Sequence, residues 1–303
     1  MSTSSLKTNL IKGLAFFSVL RGYNIMLIVV AQYLCSIYIL APDKPLLELL
    51  LDLNLFLLIV CTSLVIAAGY IINNFYDWEK DLINKPYKTL LDKNISQRAK
   101  INAYVIFNFT ALIIAASISF RAVVFFSGYS FGIWLYSHKL KKILYLGNLM
   151  AAALAITPFF TVFVYYKNLD FYIILHAVYL FLLLLIRELT KDMENLAGDL
   201  SQDYQTIPVR YGLSRSKFWI SALTLLSFIP SYLLFISGEI GLMKWYFLLA
   251  NILLVFAIVW VYNSRSKNDY SLVHILLKIV LALGVFSIFL IDTSVVQSLF
   301  SFR

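Results

Sequence analysis

Two stretches of the chain set oxygen-bearing side chains at helical spacing. In NNFYDWEKD (73–81), Asn73, Asp77 and Asp81 are four apart. In RELTKDMENLAGD (187–199), Glu188, Asp192, Asn195 and Asp199 follow at offsets of four, three and four. On a continuous helix each set lines one face. Like charges stacked on one face repel, and partial burial adds a desolvation cost. A hard divalent cation with oxygen ligands offsets both. Mg2+ takes one or two protein carboxylates and completes its shell with water and phosphate oxygens, so two facing clusters would suit a gripped diphosphate. Asn73, Asp77, Asp81, Glu188, Asp192, Asn195 and Asp199 are therefore the candidate metal ligands. Lys88, Lys139, Lys141 and Arg210 are candidates to stabilise the charge that develops as diphosphate departs. The plain alternative for either cluster alone is a solvated loop face balanced by lysines.

The elements that must position these groups are set by composition. Of 303 residues, 61% are hydrophobic and only 14% charged, about half the charge of a soluble domain, and the mean hydropathy is +0.83. Apolar runs near twenty residues recur along the chain, so the solvent for this fold is a bilayer. About nine spans are expected, at approximately 15–40, 54–73, 101–119, 122–137, 146–165, 171–189, 217–236, 243–262 and 272–292. The third and fourth are joined by little more than Phe120 and Arg121, which predicts a tight antiparallel hairpin. The segment before the first span carries no small-residue cleavage site and reads as an approach to that span rather than a removed signal.

The net charge of +9 is scattered at span ends rather than gathered in a stripe, which fits membrane orientation and not nucleic acid. Lys and Arg concentrate in the N-terminal tail and in connections 74–100, 138–145, 190–216 and 263–271. These belong on one side if the span number is odd, so the N-terminus and both acid clusters are expected at the cytoplasmic face. Cys35 and Cys61 lie inside apolar runs and read as core residues rather than a disulfide or metal pair.

The ordered set of motifs resembles the UbiA superfamily of intramembrane prenyltransferases. NNFYDWEKD is similar to the family's N-D-x-x-D-x-x-x-D at Asn73, Asp77 and Asp81, with Asn74 where the family usually has Asp. The following DLINKPYKTLLDKNIS resembles D-x-x-N-R-P-x-R-P-I-x-x-G at Asp81, Asn84, Pro86 and Lys88, with Thr89 and Lys93 replacing the second Pro and the Gly. The second acid motif maps onto Glu188, Asn195 and Asp199, Asn195 standing for an expected Asp, while Asp192 adds an acid on the same face. Tyr136, Lys141, Gly147 and Asn148 resemble a Y-x-x-x-L-K segment and its following Gly-Asn. Arg21 and Asn24 resemble an R-P-x-N near the first span.

The resemblance implies an all-α integral membrane protein, a single domain over 1–303, with about nine helices around a lipid-accessible central cavity and cytoplasmic cap loops near 74–100 and 190–216. It implies Mg2+ as cofactor and a polyprenyl diphosphate as substrate. Asp77, Asp81, Asp192 and Asp199 would be the catalytic acids, and Asn24, Arg21, Asn73, Lys88, Tyr136, Lys141 and Arg210 would bind substrate. Asn74 and Asn195 each remove one negative charge, although an amide still offers a carbonyl oxygen.

The acceptor is a lipid or an aromatic ring. Residues 187–199 resemble members making archaeal-type ether lipids, which transfer a geranylgeranyl group to geranylgeranylglyceryl phosphate. The nearest rival is ring prenylation in menaquinone- or ubiquinone-type quinone synthesis. A rival of another class is an ion-coupled transporter, but transporter sites sit at the bilayer midplane within inverted repeats. His274 and Lys278 fall inside the last span and read as snorkelling groups. Asp170 and His176 are assigned no chemistry, and Pro158 and Pro230 are read as kinks.

Overall fold

The computed structural model describes residues 3–292. Fourteen α-helices follow one another: α1 (Thr3–Leu20), α2 (Gly22–Cys35), α3 (Leu46–Leu50), α4 (Leu53–Tyr76), α5 (Trp78–Asn84), α6 (Pro86–Asp92), α7 (Gln97–Ile118), α8 (Phe120–His138), α9 (Leu146–Tyr166), α10 (Phe171–Glu194), α11 (Leu196–Ser201), α12 (Ile207–Ser237), α13 (Lys244–Asn263) and α14 (Lys267–Ser287). Eight helical stretches among the described residues are long and apolar enough to cross a bilayer. The 19-residue α8 is the remaining helix of the expected nine. The protein is thus an all-helical, multi-pass membrane protein.

Side-chain caps place several boundaries. Asp52 accepts from the N–H groups of Asn54 and Leu55 to start α4, and Asp170 starts α10 through Tyr172. Ser119 separates α7 from α8 and caps the latter by accepting from the Ala122 N–H, so the tight hairpin turns at Ser119, one residue before the expected joint. Pro158 cannot donate to the carbonyl four residues back, and the Tyr129 hydroxyl donates to that Leu154 carbonyl instead at 3.0 Å. Pro158's own carbonyl accepts from buried Gln32 at 2.9 Å, tying α9 to α2.

Two buried clusters hold the bundle. One joins α4, α7 and α8 around Cys61, Ala111, Ala115 and Phe126. The other gathers α9, α10, α12, α13 and α14 around residues such as Ile186, Leu234, Leu254 and Val273, and includes Cys35. The cysteines are free and buried in different clusters. Small residues let helices approach closely, as where the Cys61 thiol meets the Ala111 carbonyl at 3.3 Å.

Two expectations are corrected. The first span is not continuous over 15–40: it breaks at Arg21, whose backbone is left-handed (φ 50°, ψ 50°). That break is costly for a non-glycine residue, and apolar patterning does not report it. The 74–100 and 190–216 connections are not loops but carry α5, α6, α11 and the first turns of α12. Within α12, Gly212 (φ 79°, ψ 172°) separates a short leading segment from the spanning helix.

Candidate active site

Both acid clusters are built by the same local device. α4 ends where Asp77 takes φ −90°, ψ 4°, and α10 ends where Asn195 takes φ −97°, ψ 9°. Neither break interrupts the i to i+4 ladder. Asp77 N–H donates to the Asn73 carbonyl and Asp81 N–H to that of Asp77, while Asn195 and Asp199 donate to Lys191 and Asn195. Each set therefore keeps its helical spacing across a kink, and all seven candidate ligands line one cavity. Structurally, Asn195 is the counterpart of Asp77.

Asn84 locks the clusters together. Its Nδ2 donates to the Asn195 carbonyl and its Oδ1 accepts from the Gly198 N–H, each at 3.2 Å. A Cβ on Gly198 would lie 2.3 Å from Asn84 Nδ2, so only glycine permits this approach. Lys267 adds a hydrogen bond to the Asn84 carbonyl at 2.5 Å.

Between the clusters lies a charge network. Asp77 Oδ1 accepts from Lys141 at 2.6 Å and from the Tyr204 hydroxyl at 2.9 Å. Lys80 bridges the two motifs, 3.6 Å from Asp77 and 3.4 Å from Asp199. Burial pushes the Asp77 carboxyl up, but Lys80, Lys141 and Tyr204 outweigh it and hold it well below the usual carboxylate range. For Asp199 burial prevails over Lys80, and its carboxyl is raised. Burial also lowers Lys141 to about 8, Asp77 compensating only in part. Lys85 is lowered to about 8 by burial and then by neighbouring Arg21.

On the second motif, Glu188 is paired with Arg187 at 2.6 Å and Lys191 at 2.7 Å. Asp192 accepts from Asn148 Nδ2 at 2.6 Å. Asn195 Oδ1 is buried and has no hydrogen-bond partner among the described residues.

The other expected substrate contacts divide. Arg21, Asn24, Lys88, Tyr136 and Lys141 line the cavity. Arg21 lies 5.0 Å over the Tyr70 ring, and Asn24 donates to the Tyr70 hydroxyl at 3.3 Å. Arg210 and Lys139 are exposed and outside the lining, because the turns that carry them face away from the cavity. His274 and Lys278 do not snorkel outward. Both line the cavity, with His274 Nδ1 2.6 Å from Glu194. His176 lines its far end, its Nδ1–H donating to the Tyr172 carbonyl at 2.8 Å.

The cavity, about 860 Å³, has a charged end at the two motifs and an apolar body. His176 and Asp192 both line it, and sixteen residues of α10 between them span ~24 Å at 1.5 Å each. Leu14, Phe17 and Tyr23 line one side and are exposed, so the cavity opens laterally beside α1 and α2. This shape accepts a long apolar tail with a polyanionic head.

Among the described residues no three His, Cys, Asp or Glu side chains form a closed metal cage. The donor set nonetheless fits Mg2+, which needs few protein ligands when phosphate oxygens supply the rest. The candidate ligands that face the cavity from the two motifs all offer hard carboxylate or amide oxygens, and Asn195 Oδ1, unpartnered among the described residues, is an open acceptor there. Sequence reading overlooked Lys80 and Tyr204. Lys80 lies inside NNFYDWEKD, one turn after Asp77, whereas nothing in the sequence marks Tyr204.

A family model for the UbiA prenyltransferase family matches residues 29–291. The chain is 31% identical over 236 residues to the digeranylgeranylglyceryl phosphate synthase of Thermococcus sibiricus, covering 77% of this chain and 83% of that one. It is 31% identical to the synthase of the same name from Pyrococcus horikoshii, covering 72% and 76%. Among solved structures, one of a digeranylgeranylglyceryl phosphate synthase superposes with TM-score 0.68 at 23% identity, covering 91% of this chain and 97% of that chain. The UbiA homolog from Archaeoglobus fulgidus bound to DMAPP and Mg2+ superposes with TM-score 0.67 at 16% identity, covering 92% and 99%.

Proposed function

Because the chain belongs to the UbiA prenyltransferase family, we propose that it transfers a geranylgeranyl group from its diphosphate to geranylgeranylglyceryl phosphate. The observation that carries this choice of acceptor is an excess of unpaired positive charge. Eight Lys and Arg side chains line the cavity. Five of them are in ion pairs, with Asp77, Asp199, Asp92 or Glu188. Among the described residues Arg21, Lys85 and Lys278 are in none. Three cations facing a low-dielectric cavity, balanced only at longer range by Asp81 and Glu194 at Lys85 and by Glu194 at Lys278, favour a ligand that brings further negative charge. An acceptor phosphate monoester carries about −1.5 to −2 at neutral pH, whereas an aromatic acceptor needs no such set. Two synthases to which this chain is 31% identical bear names consistent with a glyceryl phosphate acceptor.

In this reading the allylic C–O bond breaks and diphosphate leaves with the electron pair. The acceptor hydroxyl oxygen bonds the allylic carbon, and its proton passes to a carboxylate of the cavity. Asp81 and Asp192, which have no ion pair among the described residues, are the groups available to take it. Lys141 and Lys80 face the departing diphosphate, and the apolar body of the cavity keeps water from the carbon. Mg2+ held by Asn73, Asp77, Asp81, Asp192, Asn195 and Asp199 would neutralise the diphosphate and ease its departure. The acid end of the bundle lies on the cytoplasmic side in this reading, where the Lys- and Arg-rich connections gather.

The test supplies purified protein with geranylgeranyl diphosphate, Mg2+ and three acceptors: geranylgeranylglyceryl phosphate, its dephosphorylated form, and a hydroxybenzoate. Ether product from the phosphorylated lipid is expected, with KM raised by Arg21→Gln, Lys85→Gln or Lys278→Gln. Prenylated hydroxybenzoate with no ether product would overturn the assignment.

A further inference from the structure

Asn74 stands where the motif usually carries Asp, and it does not face the cavity. Its Nδ2 donates to Asp92 Oδ2 at 3.0 Å. Asp92 is fully buried at the end of α6 and is not part of the cavity lining. Ser18 of α1 donates to its Oδ1 at 2.9 Å, and Lys88 is ion-paired with its Oδ2. A buried carboxylate needs such donors from every side. Lys100, also fully buried, supplies a further positive charge to this corner, its ammonium 4.9 Å over the Trp78 ring and without a hydrogen bond of its own.

An aspartate at position 74 would set a second carboxylate about 3 Å from Asp92 in a site with almost no water, where two such charges do not coexist. Asparagine removes the conflict and donates a hydrogen bond instead. The corner thus keeps one negative charge, carried at 92 rather than 74, opposite the ammonium groups of Lys88 and Lys100. Of these, Lys88 also reaches the cavity.

We propose that Asp92 is a positioning residue that holds Lys88 at the diphosphate end of the cavity, and that Asn74 and Asp92 are a matched pair in which the buried corner takes one carboxylate and one amide. The role given to Lys88 rests on the prenyl diphosphate reading of the cavity; the pairing of 74 with 92 does not.

The test compares wild type, Asn74→Asp, Asp92→Asn and the double variant, reading geranylgeranyl diphosphate affinity with Mg2+ and melting temperature in detergent. Each single variant should weaken binding by about tenfold or more, as expected when one member of a buried charged set is changed alone. The double variant should return to within about threefold of wild type and regain its melting temperature. Lys88→Ala should weaken binding about tenfold in wild type but less than about twofold in Asp92→Asn. A double variant as poor as the product of the singles, or a Lys88→Ala effect that ignores residue 92, would overturn the proposal. If wild type binds no prenyl diphosphate, the reading of the cavity fails, and the pairing is then decided by recovery of melting temperature in the double variant.

Discussion

The Lys141 ammonium lies 2.6 Å from Asp77 Oδ1, so the central acid of the first motif is paired with a buried cation. Lys141 comes from the short turn after α8, and that turn is pressed against the start of α9, where a Cβ on Gly147 would lie 2.9 Å from the Lys141 carbonyl. A lysine fixed this way can change partners, from Asp77 to a diphosphate oxygen, with little rearrangement. Pre-oriented cations of this kind stabilise developing charge without a reorganisation cost at the moment of reaction.

Lys141→Met is therefore expected to lower kcat/KM by about 10²-fold, the size seen when one pre-oriented donor to a developing anion is removed. Asp77→Asn should be at least as harmful. Because the two groups touch, the double variant should fall well short of the product of the single effects. Steady-state kinetics on the four proteins read this directly, and multiplicative losses would show that Lys141 and Asp77 act separately.

The clasp at Asn84 makes a stability prediction. Asn84→Ala removes two hydrogen bonds, one to the Asn195 carbonyl, which keeps its bond from the Asp199 N–H, and one from the buried Gly198 N–H, which loses its side-chain acceptor, at a cost of about 1–3 kcal/mol. Gly198→Ala should copy the effect from the other side, since its methyl would displace the Asn84 amide. Thermal unfolding of both variants should show lower midpoints, and both should lose diphosphate affinity because the clusters are no longer held together. Full affinity in Asn84→Ala would mean the clusters meet without the clasp.

Affinity should also fall at high pH, with separate origins for donor and acceptor. Burial lowers Lys141 to about 8, and burial with Arg21 does the same to Lys85. The charged form binds anions, so below this pH binding is level. Above it each lysine must regain a proton on binding, and the apparent Kd rises by up to about tenfold per pH unit for each. Lys141→Met should abolish the break for geranylgeranyl diphosphate, and Lys85→Gln the break for the phosphorylated acceptor. Calorimetry in buffers of different ionisation heat would detect the proton uptake. A Kd that stays level to about pH 9.5 would remove both lysines from this role.

What could be read from the sequence follows from which forces leave a local trace. Spans are announced by uninterrupted apolar runs, and the acids at positions 73–81 and 187–199 by spacing that survives the kinks at Asp77 and Asn195. The break at Arg21 was passed over because Arg21, Gly22 and Asn24 interrupt the apolar run too briefly to separate a broken helix from a continuous span. His274 and Lys278 were misread because a helix that is apolar nearly all round does not reveal which side faces a cavity. Arg210 was misplaced for a related reason: its charge suits a phosphate, but the turn before Gly212 points it outward. Tyr204 reaches Asp77 across 127 positions of chain, and only the fold brings them together.

The two asparagines that depart from the motif should respond oppositely to restoration of the acid. Asn74 faces Asp92, so a carboxylate there meets another carboxylate. Asn195 is buried at the cavity wall between Asp192 and Asp199, and its Oδ1 has no partner. Asn195→Asp adds a carboxylate to Glu188, Asp192 and Asp199 of the second motif, and cation affinity at oxygen sites rises with ligand charge. The half-saturating Mg2+ concentration for diphosphate binding should fall by roughly threefold to tenfold. Without Mg2+ the added charge should lower the melting temperature, and Mg2+ should raise it by more than in wild type, since a ligand that binds only the folded state stabilises it. Asn74→Asp should show the loss without the gain. If Asn195→Asp melts lower with and without Mg2+ and its Mg2+ requirement is unchanged, residue 195 is not a metal ligand and its open carbonyl serves the backbone turn alone.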